Sequence, residues 1–349
     1  MCALLCGLRV LSQTAVGSRL LRNTAVAAAV PRGHLRGVSY ESDVDIISHG
    51  LAGLVVARAT AERLSRAGAV AALAGAVSPD LDAVAKLWDP VASIAVHRVV
   101  THSFLGGIPL ALAAAGLVRL VTRGGFWQLA GFAYAGLLSH VLLDAFTPFG
   151  TAFLWPLDRR RWSAGSLHVI DPTVGLIFVA GLLLTIRWKY LAARVTLVAL
   201  GAYLVLGVAT LKLAETRWAQ ALEREAVVTI RRAVVPVVPG PLRWLGVAET
   251  PDAAIRARFW IWDVTAAASA VEPRHPGPSL AGVQEHPAVR AFLERARLPW
   301  RRAQDDGGFW TIEYEDLAFE DHPFGGPMVL RLRVDASGIV RSVEVDHRF

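Results

Sequence analysis

Six apolar stretches, near residues 46–57, 67–77, 104–121, 126–143, 173–188 and 195–213, crowd the first two thirds of this chain, and histidines and aspartates stand where they begin or end. An ionisable group in or beside hydrocarbon is costly enough that it normally marks a site rather than packing. The pairs are Asp80 with Asp82, His97 with His102, and His140 with Asp144, with His49 and Asp171 at two further ends. Hydrophobic residues make up 54% of the 349, more than a soluble domain usually carries.

The first two runs are short for a bilayer, and the others reach spanning length only if the flanking His and Asp residues join the helices. A re-entrant or interfacial hairpin is the alternative for the first pair. The expectation is therefore a mainly α, polytopic membrane bundle of five to six helices at 45–213, followed by a small soluble α+β domain at 214–349. From Glu215 onward Arg, Glu, Asp and Pro recur every few residues. Residues 215–233 read as an amphipathic helix and His286 to Leu298 as a short one. Arg256 to Val264, Gly308 to Tyr314, Met328 to Val334 and Ile339 to Val345 alternate like strands, with a turn at Asp335-Ala336-Ser337-Gly338.

With six alternating helices, His49, Asp80/Asp82, His97/His102, His140/Asp144 and Asp171 all fall on one membrane face. His140 and Asp144, four apart on a helix, project from the same side as a ligand pair requires, although a core histidine beside a helix-ending aspartate has the same spacing. Pro79 ends a helix and leaves Asp80 and Asp82 in a turn, as hard oxygen ligands or as caps. In His97-Arg98-Val99-Val100-Thr101-His102-Ser103 two imidazoles sit beside a fixed cation and two hydroxyls. His with Asp suits Zn²⁺, Mn²⁺ or Fe²⁺ rather than a cysteine-type structural zinc. One or two such ions would activate water for hydrolysis. Arg98 then either stabilises an anionic substrate or packs against an aspartate. Thr101 and Ser103 read as supporting or capping residues.

The HRxxTHS order at 97–103 resembles the membrane-bound metal-dependent hydrolases, a YdjM-like family also described as LexA-binding and inner-membrane-associated. His49-Gly50, Pro79-Asp80-Leu81-Asp82, His140 to Asp144, Thr147-Pro148-Phe149-Gly150-Thr151, Trp155-Pro156-Leu157 and Ile170-Asp171-Pro172 follow the family order over roughly 45–215. The resemblance implies a bacterial or archaeal inner-membrane protein with a divalent-metal hydrolase site. His49, Asp80, His102, His140 and Asp144 are the expected metal ligands, with zinc the first choice, and His97, Asp82 and Asp171 serve as further ligands or general base. The ligand style is distantly similar to zinc-dependent phospholipase C and single-strand nucleases. An ester or phosphoester at the membrane surface, lipid-linked or phosphorylated, is then the expected substrate. Arg159, Arg160 and Arg161 would favour an anion or anchor a loop to acidic headgroups.

Residues 1–44 depart from the family pattern: they hold both cysteines, Cys2 and Cys6, and no acidic residue before Glu41. They read as a disordered leader, with translation starting nearer Val38 or Val44. A multi-pass protein of the inner membrane is expected, its orientation open. Arg58, Arg63, Arg66, Arg119, Arg123, Arg187, Lys189 and Arg194 on one face are balanced by Lys86, Arg98, Arg159 to Arg161 and the leader on the other. The net charge of +7 then belongs to membrane loops and gives no reason to expect nucleic acid. A metal-stabilised regulatory protein and a transporter or proton relay are the competing readings; gathering of the polar residues on one face speaks against the relay.

Overall fold

The computed structural model describes residues 41–87, 97–263, 270–273, 281–319 and 328–347, all within one compact unit. Of the leader expected at 1–44, residues 1–40, with both cysteines, lie outside the described residues, and 41–44 open the first helix.

Five α-helices precede the first strand: α1 Glu41–Thr60, α2 Arg66–Val77, α3 Gly107–Val121, α4 Phe126–Phe146 and α5 Pro172–Arg224. A 3₁₀ segment, Pro79–Leu87, follows α2 where Pro79 stops it. The expected bundle of five to six spanning helices is corrected here. Only α4 and α5 are long and apolar enough to cross a membrane among the described residues. The apolar parts of α1 and α3 have 15 residues each and α2 has 12, about 18–22 Å at 1.5 Å per residue against a hydrocarbon core of about 30 Å. The runs at 173–188 and 195–213 are not separate elements but lie within α5, which is kinked at Lys189 (φ +48°). Multi-pass topology therefore loses its basis. The chain has eight helices among the described residues, counting the 3₁₀ segment, and two antiparallel sheets.

Small residues decide how the short helices pack. Gly75 and Gly136 let α2 and α4 meet backbone to backbone: an added Cβ would sit 1.9 Å from the Ala133 carbonyl oxygen and 2.1 Å from that of Ala72, respectively. Gly53 of α1 likewise lies against Ala72 and Ala76. Close approach of this kind makes van der Waals contact possible without large side chains, as in membrane helix pairs. By contrast Leu176, Leu183, Ile186, Val195, Val198 and Val205 of α5 stay exposed, an apolar surface suited to lipid.

Beyond α5 the chain makes two four-stranded meanders, β1-β2-β3-β4 and β5-β6-β7-β8. The first contains Arg231–Pro236, Arg243–Glu249, Ala253–Trp260 and Ala270–Pro273; the second contains Pro299–Asp305, Phe309–Asp316, Met328–Asp335 and Val340–His347. Short helices α6 (Ala281–Gln284) and α7 (Pro287–Arg295) separate them. The amphipathic helix expected at 215–233 ends at Arg224, and β1 begins at Arg231. Trp218, fully buried near the end of α5, packs with Trp244, Ala248 and Phe259, so α5 is also the core helix of the first sheet. Leu298, Trp300 and Leu317 join Val235, Leu245 and Val247 in a cluster that ties the two sheets together.

Gly75→Ala is expected to destabilise the protein by about 1–3 kcal/mol or more through overpacking against the Ala133 backbone. Gly116→Ala in α3, where nothing lies within 4 Å of the added carbon, should cost nothing. Thermal unfolding in detergent compares the two.

Candidate metal centre

The middle of α1, the 3₁₀ segment after α2, the loop before α3 and the last turns of α4 bring His49, Asp80, His102, His140 and Asp144 together. His102 and His140 are fully buried, and Asp144 and His49 nearly so. His102 Nε2 lies 3.3 Å from Asp80 Oδ1 and 3.5 Å from Asp144 Oδ2. His140 Nε2 lies 3.5 Å from Asp80 Oδ1 and 3.6 Å from Asp144 Oδ2. Four ligands about 2.0–2.2 Å from one tetrahedral ion would stand roughly 3.3–3.6 Å apart, so these spacings fit an ion of zinc's size. His49 adds its ring, stacked on His140 at 3.7 Å, and its Nε2 3.6 Å from Asp144 Oδ1.

Hydrogen bonds on the far sides of the rings explain which nitrogen faces inward. The close helix contact puts the Ala76 carbonyl 2.7 Å from His140 Nδ1, which must therefore carry the proton and donate it. The Thr101 hydroxyl spends its single proton on Asp82 Oδ2 at 2.5 Å, so it accepts from His102 Nδ1 at 2.9 Å. In the neutral rings both Nε2 atoms are then left as bare lone pairs. Neither makes a hydrogen bond within the protein, nor does Asp80 Oδ2, although all are buried. Two carboxylates and two lone pairs facing one another repel in a low-dielectric interior unless a cation lies among them. The donor set thus fits a divalent metal.

Asp82 is placed differently from Asp80. Its Oδ1 accepts from His97 Nδ1 at 2.6 Å, and its Oδ2 from the Thr101 hydroxyl and, at 3.4 Å, from the Arg98 amide. Asp82, His97 and His102 have ligand spacing among themselves, and these hydrogen bonds occupy both oxygens of Asp82. Asp82 orients His102 through Thr101, as a carboxylate behind a metal-binding histidine does. Burial opposes charge on Asp82, but the nearby His102 imidazole, 3.4 Å away, and the hydrogen bond from His97 outweigh it and hold the carboxyl below its ordinary range. Burial also pushes His97 down to about 4, so the pair is a neutral imidazole on an ionised carboxylate. For His102 burial is outweighed by the carboxylates of Asp80 and Asp82, and its pKa is raised.

Arg98 is buried and does not face an open site. Its Nη2 pairs with Asp144 Oδ1 at 3.1 Å and its Nη1 donates to the Thr147 hydroxyl at 2.8 Å. It adopts φ +63°, which costs roughly 1–2 kcal/mol and is offset by those bonds and by the Ala152 amide donating to its carbonyl. The 147–164 segment clamps the ligand loop: Phe104 donates to the Phe153 carbonyl, and Thr151 bridges Trp162. Gly150, at φ +64°, has no room for a Cβ against the Trp162 carbonyl.

Asp171 is not brought into the cluster. It caps α5 by accepting from the Thr173 amide, and its other oxygen accepts from the Tyr203 hydroxyl at 2.7 Å. Reading the sequence also missed the Ala76 carbonyl, which carries no side-chain signal, and the part played by the second sheet. Phe149 of the clamp stacks on Phe319 at 4.3 Å, and the guanidinium groups of Arg98 and Arg295 both lie over its ring.

The helical part of the chain is similar to a known family. Residues 44–214 match the family described as YdjM inner membrane protein. That stretch carries every one of the histidines and aspartates above. The chain is also 28% identical over 142 residues to the uncharacterized protein YfhP of Bacillus subtilis (strain 168), an alignment covering 39% of this chain and 41% of that relative. It therefore spans well under two thirds of the relative's length. No solved structure matches the chain. This match and the two long apolar helices support membrane association, and three His/Asp groups have metal-ligand spacing.

Asp82→Asn and Thr101→Val are expected to weaken metal affinity roughly 10–100-fold while leaving the number of sites unchanged. Because a proton and a metal compete for the same His102 lone pair, affinity should fall as pH drops through the histidine range. Competition with a chromophoric chelator at several pH values measures both effects.

Proposed function

We infer that the protein is a metal-dependent hydrolase of the bacterial inner membrane, acting on an ester or phosphoester. The observation that carries this reading is the convergence of two imidazole lone pairs and two carboxylates at tetrahedral spacing. Asp80, His102, His140 and Asp144 would hold the ion, with His49 beside them as a fifth donor. Zinc suits this set best, with manganese or iron(II) as alternatives. A divalent ion supplies Lewis acidity to the substrate oxygen and lowers the pKa of water.

The remaining residues act on their own account. Asp82 and Thr101 keep His102 in one tautomer. Arg98 fixes Asp144, so its role is positioning rather than substrate contact. His97 is held by Asp82 through Nδ1, and its other nitrogen is the candidate proton acceptor.

The purified protein in detergent is expected to carry one equivalent of a transition metal by elemental mass spectrometry, with up to two if the Asp82-His97-His102 group also binds. The His140→Ala/Asp144→Ala variant should lose the metal and all hydrolysis of phosphoester probes. Metal-free protein after reloading, in wild type and variant alike, rules the hydrolase out. Bound metal with no turnover on ester and phosphoester panels favours a metal-stabilised regulatory protein.

A further inference from the structure

Beside the ligand loop lies a pocket of about 330 Å³ that the catalytic reading leaves without a task. Val99 of the loop and Trp155, Arg159 and Arg161 of the clamp form one side, and Glu294 and Arg295 of α7 form the other. Three guanidinium groups thus meet one carboxylate around a cavity near the lower size limit of small-molecule sites, about 300 Å³.

Arg161 is the informative wall. Its Nη2 donates to the His97 carbonyl at 2.9 Å, which fixes the guanidinium plane against the ligand loop. Its Nη1 is buried and makes no hydrogen bond within the protein. A buried cationic donor left in this state calls for an acceptor from outside. Burial and the charge of Arg98 together pull the Arg161 pKa down to about 10, so an anion there would relieve an unfavourable placement. Arg295 comes from the far side, held by its stacking over Phe149 at 4.9 Å. Planar guanidinium forks on opposing walls match the oxygens of a phosphate group, which they can grip bidentately.

We propose that this pocket binds the phosphate group of a phosphomonoester or phosphodiester, and that the C-terminal module completes it with Arg295. The module then acts as a specificity element. Treating that phosphate as part of the substrate rests on the hydrolase reading, whereas the binding itself does not.

The test is calorimetric titration of the full chain in non-ionic detergent with two probes, inorganic phosphate and short-chain phosphatidic acid, with metal content measured on the same samples. Saturable binding is expected, weakened at least tenfold by Arg161→Gln and by Arg295→Gln with metal content unchanged. Arg159 is exposed, so Arg159→Gln should weaken binding without any fall in Tm. Tighter binding of the lipid than of phosphate assigns the group to a lipid headgroup, and equal binding assigns it to soluble phosphates; both support the pocket. No saturable binding of either probe, or binding indifferent to all three substitutions, overturns it. Phosphate binding by a protein that takes up no metal would leave the pocket standing and sink the hydrolase; metal uptake without phosphate binding would do the reverse.

Discussion

Two carboxylates and two imidazole lone pairs pointed at one another inside a buried space form the constraint around which the helical half of this protein is arranged. Such a cluster is repulsive by itself, and side chains with freedom to turn would turn away. They are prevented from doing so from behind. Ala76 holds His140, Thr101 and Asp82 hold His102, and Arg98 holds Asp144. Every restraint acts on the outer atom of a ring or carboxylate and leaves the inner atom exposed to the centre. That division is what a pre-organised cation site needs, since the polar groups need not reorganise when the charge arrives.

The restraint on His140 exists only because α2 and α4 approach so closely that a backbone carbonyl can reach an imidazole on the neighbouring helix. Gly75 and Gly136 permit that approach. The glycines that set helix packing therefore also set the histidine tautomer. The same economy appears in the clamp at 147–164. Its Thr147 receives Arg98, its Phe153 carbonyl receives the Phe104 amide, and its Phe149 carries the contact to the second sheet. Packing, ligand placement and docking of the C-terminal module are thus one connected structure.

The helices also show why apolar runs overstate membrane crossings. Alanine and glycine raise the apolar count of α1, α2 and α3, yet these residues face protein: Ala52, Val55, Ala71, Ala72, Ala76, Ala111 and Ala115 are buried against neighbouring helices. Hydropathy records that a residue avoids water without recording whether lipid or protein replaces it. The exposed leucines, isoleucines and valines of α5 make that distinction only once the packing is known.

The sequence by itself determined the chemistry. The types, order and positions of His49, Asp80, Asp82, His97, Arg98, His102, His140 and Asp144 at the ends of apolar segments marked a His/Asp cluster, because ionisable groups there are costly unless they serve a site. The strands at Phe309–Asp316, Met328–Asp335 and Val340–His347 were legible from alternation, and the turn between the last two from Asp335 to Gly338. Only the tertiary structure decided which members face the centre and which stand behind it. Asp80 and Asp82 are two residues apart with the same side chain, and their roles separate through partners distant in the chain, His140 for one and His97 with Thr101 for the other. Asp171 looked equivalent until Tyr203 and the Thr173 amide claimed its oxygens. The pocket of Arg161 and Arg295 joins residues from the clamp and α7, and no local pattern could bring them together. Spacing along a chain governs contacts within one helix or strand, whereas contacts between elements depend on how closely the backbones can approach.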